Sequence, residues 1–283
     1  MASKISIAGE ENFARIMTSP AQDGSAVAIE IRDLTRRFGA QIVLDHVSFA
    51  CPHGKITTVV GPSGCGKTVL LKHLNFLLRP NCGAIIVDGE DVTQMGSSEL
   101  NRVRDKFGML FQAGALFDSM TVAENVAFPL VEKTNLSRQE IAQRVQEKLA
   151  AVGLEGAGNK FPSEISGGMQ KRAALARALI REPEILLLDE PTTGLDPTRA
   201  GAIHHLIRRT QQRFGLSAVL VSHDVPQVFE ISDRVAFLYK GRTRLFGTVQ
   251  EILSANDPVF KSFLAGEEID EEGLQAGSNA LAM

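Results

Sequence analysis

The segment Gly61-Pro62-Ser63-Gly64-Cys65-Gly66-Lys67-Thr68 carries the spacing G-x-x-x-x-G-K-[ST]. A phosphate group needs several N–H donors crowded around it with no side chains in the way. Glycines allow the backbone to curl into such a concavity, and a helix that starts at its end adds a positive terminus. In this pattern Lys67 neutralises the β- and γ-phosphates of a nucleotide, and Thr68 offers a hydroxyl to Mg²⁺. A second group closes an apolar run, Ile185-Leu186-Leu187-Leu188-Asp189-Glu190. An uncompensated carboxylate at the end of a buried strand is costly. A metal ion would compensate Asp189, and Glu190 could take a proton from a water aimed at the γ-phosphate.

The elements around these residues are legible from their patterning. Val27–Arg32 and Val43–Ala50 alternate apolar and polar residues, as half-buried strands do. Ile56–Val60 is a continuous β-branched run, which predicts a strand covered on both faces and leading into the phosphate loop. Lys67–Leu78 then reads as a helix with Leu70, Leu71, Leu74 and Leu78 inward. Ala84–Val87 is a further strand closed by a turn at Asp88-Gly89. Thr121-x-x-Glu124 and Ser137-x-x-Glu140 fit the capping box, and Ile141, Val145, Leu149 and Val152 form one apolar stripe at helical spacing. A helix to Arg181, a strand Ile185–Asp189, a helix Pro197–Phe214 and a strand Ser217–Val221 follow. Alternating strands and helices predict an α/β fold with a mostly parallel sheet and right-handed crossovers. The helical block of about residues 105–165 interrupts the alternation and is expected to be an inserted subdomain. Residues 1–26 read as a loose arm, 27–266 as the folded domain and 267–283 as an acidic tail.

With 283 residues, 44% hydrophobic and 22% charged, the chain has ordinary globular composition, which excludes collagenous, coiled-coil and disordered classes. The net charge is −3, and the tail alone carries Glu267, Glu268, Asp270, Glu271 and Glu272 with no Lys or Arg. The nearly neutral body argues against a dedicated nucleic-acid binder. The tail reads as a solvated end or, alternatively, as a clasp on a partner subunit. No run of about 18 apolar residues is present, so no bilayer span is expected. The first twenty residues lack a signal-peptide pattern. Three scattered cysteines, Cys51, Cys65 and Cys82, form neither a disulfide framework nor a zinc knuckle. The expected location is therefore cytosolic. Cys65, inside the phosphate loop, is expected to let thiol reagents block nucleotide turnover.

Phosphate loops with an acidic strand end occur in kinases, motors and transport ATPases. The segment Ile165-Ser166-Gly167-Gly168-Met169-Gln170-Lys171-Arg172 discriminates among them, because it resembles the LSGGQ signature of the ABC ATPases. The other motifs of that family follow in order over about residues 27–250. The resemblance implies a P-loop NTPase core with an antiparallel β subdomain and an inserted helical subdomain. It implies Phe38 as the aromatic that stacks on adenine, and residues 61–69 as the phosphate cradle. It also implies Gln112 as the Q-loop glutamine and Mg²⁺ contact beside Thr68 and Asp189, Gly194-Leu195-Asp196 as the D-loop, and His223 as the switch histidine. Glu190 is then the general base. Val69 stands where the family usually has a second hydroxyl, and Met169 replaces the signature glutamine. In such ATPases Ser166, Gly167 and Gly168 of one subunit cover the nucleotide held by the phosphate loop of another. A homodimer with ATP and Mg²⁺ is the implied working form.

One cassette with no membrane span implies a separate integral-membrane permease. Gly108-Met109-Leu110-Phe111-Gln112-Ala113-Gly114-Ala115-Leu116-Phe117, Asn125-Val126-Ala127-Phe128-Pro129-Leu130, Ser166-Gly167-Gly168-Met169 and Ser222-His223-Asp224-Val225-Pro226 closely resemble the ATPase of the Mla/MCE phospholipid transport systems. That resemblance implies a peripheral place on the cytoplasmic face of the inner membrane. It also implies a periplasmic MCE-domain protein and a small cytosolic STAS-domain protein as further partners. The alternatives are the ATPase of a small-solute importer and a soluble ABC switch working in DNA repair or translation.

Overall fold

The computed structural model describes residues 26–112 and 114–267. The expectations for the arm before Ala26 and for the tail after Glu267 lie outside the described residues. Two sheets organise the molecule. The first has four antiparallel strands in the order β2-β1-β4-β5: β1 (Val27–Phe38), β2 (Gln41–Pro52), β4 (Cys82–Val87) and β5 (Glu90–Asp91). The second has six strands in the order β10-β9-β3-β8-β7-β6: β3 (Ile56–Val60), β6 (Phe107–Leu110), β7 (Ile185–Asp189), β8 (Ser217–Val221), β9 (Arg234–Tyr239) and β10 (Arg242–Gly247). All of its pairings are parallel except β9 with β10.

The continuous apolar runs explain why this second sheet is central. Every residue of β3, β7 and β8 is buried. Their side chains alternate between two cores, as a period of two requires. Ile56, Val60, Leu186, Leu188, Ala218 and Leu220 enter one core together with the helices. Val59, Ile185, Leu187, Val219 and Val221 enter the other, which they share with Ile29, Ile31, Leu34 and Leu44 of the antiparallel sheet. Both faces of the parallel sheet are thus covered, one by helices and one largely by the smaller sheet. The α/β class with an added antiparallel sheet is as expected from the sequence.

The helices are α1 (Lys67–Leu74), α2 (Ser97–Arg104), α3 (Val122–Lys133), α4 (Arg138–Ala151), α5 (Gly167–Leu179), α6 (Pro197–Phe214), α7 (Val249–Ser254) and α8 (Pro258–Ala265). Thr121 caps α3 and Ser137 caps α4 through complete capping boxes. The stripe of α4 is buried at Val145, Leu149 and Val152, with Ile141 packed at its edge. Two boundaries differ from the periodicity. α1 stops at Leu74, because Asn75 ends it and Phe76 turns to φ +61°, which leaves Leu77 63% exposed. Phe107–Leu110, at the start of the block expected to be helical, is instead the edge strand paired with β7.

Candidate active site

Parallel pairing places the chemistry-bearing residues at one edge. The phosphate loop follows β3, Gln112 follows β6, Asp189 ends β7 with Glu190 next, and His223 follows β8. These are the carboxyl ends of neighbouring parallel strands, where open α/β sheets bind ligands. Asp189 pairs with Val221, so residues 190 and 223 leave the sheet side by side although they are far apart in the chain.

The loop after β3 is held by close packing. Gly61 has φ +155°, and a Cβ there would lie 2.1 Å from the Leu238 carbonyl oxygen. Gly66 has φ +107°, and a Cβ there would lie 2.7 Å from Leu44 Cδ2 and 3.0 Å from the Val43 carbonyl oxygen. Neither position accepts a side chain, so the glycines at both ends of the motif are sterically required. Lys67 opens α1 and folds back: Nζ donates to the carbonyls of Gly61 (2.7 Å) and Pro62 (3.0 Å). Lys67 is 7% exposed, while Ser63, Gly64 and Thr68 face solvent. The Val69 side chain packs against the core that contains α1.

Cys65 does not match the expectation of a reactive thiol. It is buried in the same core, and burial pushes its pKa up, opposed only in part by the charge of Lys67. A thiol in that setting yields little thiolate, so modification is slow.

The acid end of β7 is built tightly. Asp189 is 5% exposed, and its Oδ1 has no hydrogen-bond partner. Burial, and then the charge of Glu190, push its pKa up, offset in part by Lys72, Lys67 and a hydrogen bond from Thr68. An orphaned buried carboxylate oxygen beside a threonine hydroxyl is a hard oxygen pair of the kind that suits Mg²⁺, which keeps waters and phosphate oxygens as its other ligands. The residues therefore fit that ion. Among the described residues no cluster of His, Cys, Asp and Glu could form an all-protein metal cage.

Glu190 is 8% exposed and sits at φ +50°, a conformation that non-glycine residues rarely adopt and that concentrates at functional sites. Its N–H donates to the Val221 carbonyl at 3.0 Å, which fixes the backbone to β8. Its Oε2 pairs with His223 Nδ1 and accepts from Thr193 Oγ1 at 3.1 Å. Thr193, three residues after Glu190, was not singled out in the sequence; its spacing from the acid was the available signal.

Gln112 is exposed, and its carbonyl accepts from the Nζ of Lys171, a buried lysine of α5. That bond joins the turn after β6 to the helix that follows Ser166. Ser166 caps α5, its Oγ accepting from the Met169 N–H at 3.4 Å. Ser166 and Gly167 are exposed at that helix end, whereas Met169 turns into the core shared by the helices. The methionine is thus a packing residue here. Asp196 caps α6, accepting from the Arg199 N–H at 3.0 Å, with Pro197 as the first helical residue. Phe38, at the end of β1, is 44% exposed.

Several of the sequence-predicted residues line three separate cavities. Pro62, Ser63 and His223 line one cavity, together with Phe263, Leu264 and Glu267 from the end of the described chain. Gly167 lines another of about 430 Å³ with Gln112, Lys171 and Thr193. Ser166 and Gly168 open onto a third, between α4, α5 and α6. The phosphate loop and the serine-led helix end thus line separate cavities.

A bound nucleoside triphosphate is what this cradle and acid end are shaped to hold, and residues 44–193 match the ABC transporter family. The chain belongs to that family, and its activity is ATP hydrolysis. Among its relatives, the intermembrane phospholipid transport ATP-binding protein MlaF of Haemophilus influenzae is 43% identical over 239 residues, covering 84% of this chain and 90% of its own. MlaF of Escherichia coli K12 is 42% identical over 238 residues, 84% of this chain and 88% of its own. Mkl of Mycobacterium tuberculosis, named for ribonucleotide transport, is 42% identical over 257 residues, 91% of this chain and 72% of its own. Among solved structures, a dimeric ATP-binding cassette (MJ0796) in a post-hydrolysis state with ADP and Pi aligns with a TM-score of 0.70 at 30% identity. It covers 78% of this chain and 98% of its own. A cassette of the cbiONQ transporter complex of Clostridium perfringens aligns at 0.76 with 28% identity, covering 84% and 95%. No described helix is long and apolar enough to cross a membrane.

Proposed function

We propose that this chain is the ATP-hydrolysing subunit of a phospholipid transport system, working as a homodimer beneath an integral-membrane permease on the cytoplasmic face of the inner membrane. The observation that carries this reading is the near full-length match to MlaF, 43% identical over 90% of that protein. A periplasmic MCE-domain protein and a cytosolic STAS-domain protein complete the proposed machine. Lipid selection belongs to those partners. The exposed aromatics Phe111 and Phe117, which flank Gln112 in the segment joining β6 to α3, are the proposed contact with the permease.

In the proposed mechanism, Lys67 leaves its loop carbonyls for the β- and γ-phosphates, which then also accept from the N–H groups of the phosphate loop. Thr68, Asp189 and Gln112 hold Mg²⁺, which neutralises phosphate charge when bound. Phe38 stacks on the adenine. Glu190 takes the proton of the attacking water, and His223, already paired with it, keeps the carboxylate oriented and senses the γ-phosphate. Ser166 and the Gly167 and Gly168 N–H groups of the second copy close over that phosphate, with Asp196 near the seam. Nucleotide between two positive helix ends holds the dimer together, and hydrolysis releases it.

Mkl supports a second reading, import of a small solute, through its name and 42% identity. Purification of the full chain from membranes in mild detergent, followed by lipid extraction, separates the two. The phospholipid reading predicts co-purification of a multi-span permease with bound glycerophospholipid. A soluble solute-binding partner and a lipid-free complex would contradict it.

A further inference from the structure

The guanidinium of Arg36 lies 4.5 Å from the centroid of the Phe38 ring. Residues two apart on a strand share a face, so both side chains project from the same side of β1. The guanidinium stands over one face of the ring, and Phe38 as a whole is 44% exposed. Arg36 is also anchored away from the ring, where its Nη1 donates to the Arg79 carbonyl at 2.9 Å. Around that bond the chain beyond α1 is stitched to β1: Arg37 N–H donates to Asn81 Oδ1 at 2.8 Å, and Asn81 N–H donates to the Thr35 carbonyl at 2.8 Å. The β1–β2 hairpin itself abuts the phosphate loop, where Gly66 has room for no side chain against Val43 and Leu44. The cation therefore connects the aromatic ring to the chain that follows the helix carrying Lys67.

We infer that Arg36 is a positioning residue for base binding: it backs the Phe38 ring with a cation on one face, presents the other face to the adenine, and fixes that platform at a set distance from the phosphate loop. The inference rests on Phe38 being the base platform. A cation on the far side draws electron density from the ring and stiffens it, which favours stacking with an electron-rich purine. The contact is present before the base arrives, so only its strengthening on stacking adds to affinity, by at most the about 0.5–1 kcal/mol of an exposed cation–π pair, or about two- to five-fold. The effect is expected to be confined to the base, because Arg36 lies on β1 and is bound to the Arg79 carbonyl and the Phe38 ring, outside the phosphate loop.

The test measures equilibrium binding of ATP and of inorganic tripolyphosphate to the full chain carrying Arg36→Ala, Arg36→Gln or Arg36→Lys, alone and combined with Phe38→Ala. Arg36→Gln retains a donor for the Arg79 carbonyl while removing the cation, so it separates stacking from folding. ATP affinity is expected to fall, by at most about two- to five-fold, in the Ala and Gln variants and to be largely kept in Arg36→Lys, with tripolyphosphate unchanged throughout. On the Phe38→Ala background the Arg36 substitutions should add nothing. Unchanged ATP affinity in the Ala and Gln variants, alongside a loss in Phe38→Ala, would overturn the role of Arg36 and leave the platform standing. An equal loss for tripolyphosphate, or tighter ATP binding once Arg36 is removed, would overturn it as well. An unchanged Phe38→Ala would remove the platform and this inference with it.

Discussion

At the carboxyl end of β7 nearly every group has a neighbour, whereas at the amino end of α5 the groups face outward. Glu190 is 8% exposed and held by Val221, Thr193 and His223. Ser166 and Gly167 are exposed, and the Ser166 hydroxyl does no more than cap its own helix. The unspent feature at the first end is a carboxylate oxygen of Asp189 aimed at nothing; at the second it is a run of free N–H groups at a helix terminus. One end lacks a cation and the other an anion. In the proposed dimer a metal nucleotide between two copies would supply both, and the contrast is the one expected of a site divided between two molecules.

Substitutions at each end break this comparison in different ways. The largest effect is expected from Glu190→Gln, which should keep ATP binding and lower kcat by about 10²–10⁴-fold, the usual worth of a positioned base. Phosphate release under multiple-turnover conditions at the wild-type rate would remove Glu190 from that role. Lys67→Ala should weaken ATP binding by about 10–100-fold, the loss of charge-assisted hydrogen bonds to phosphate, as measured by calorimetry. Asp189→Asn should abolish Mg²⁺-dependent turnover yet stabilise the apo protein. The sign follows from its raised pKa. Below the unfolded pKa the protonated acid costs nothing, and stability is lost as pH rises through the folded value. The variant should therefore melt higher than wild type at neutral pH, by about 2–4 °C for each kcal/mol recovered, with the gain vanishing below about pH 4. Equal melting temperatures at pH 7.5 would mean the orphaned oxygen carries no cost. The smallest effect belongs to Ser137→Ala, far from both ends. Loss of that cap should cost about 1 kcal/mol in chemical denaturation without changing ATP affinity.

The two ends also differed in legibility. The phosphate loop, the apolar strand before Asp189 and the two capping boxes could be read because each is a local rule: a glycine spacing, a buried run, a four-residue cap. The pairing of Glu190 with His223 could not, since it depends on the parallel register of β7 and β8. Lys171 is hidden in a similar way, because its partner Gln112 is 59 residues away, whereas Thr193 lies three residues after Glu190 and only its spacing points to it. Cys65 was misjudged because exposure is invisible in a motif: its position in the loop suggested reactivity, and its packing against the core removes it. Residues 234–265 carry no chemical motif, so strands β9 and β10 and helices α7 and α8 are not legible by such a local rule. Met169, which replaces the signature glutamine, is locally a core contact, and Asp196 of the D-loop is locally a helix cap.

The division of the site between two molecules is tested most directly by crosslinking. Cys82 is the one exposed cysteine among the described residues, so it is first replaced by serine, and Ser63→Cys and Ser166→Cys are then introduced into the Glu190→Gln chain. With ATP and Mg²⁺ the account predicts a disulfide joining residue 63 of one copy to residue 166 of its twin, running as a dimer on a non-reducing gel and absent without nucleotide. Failure to form that dimer under saturating ATP, or its formation to the same extent without nucleotide, would contradict it.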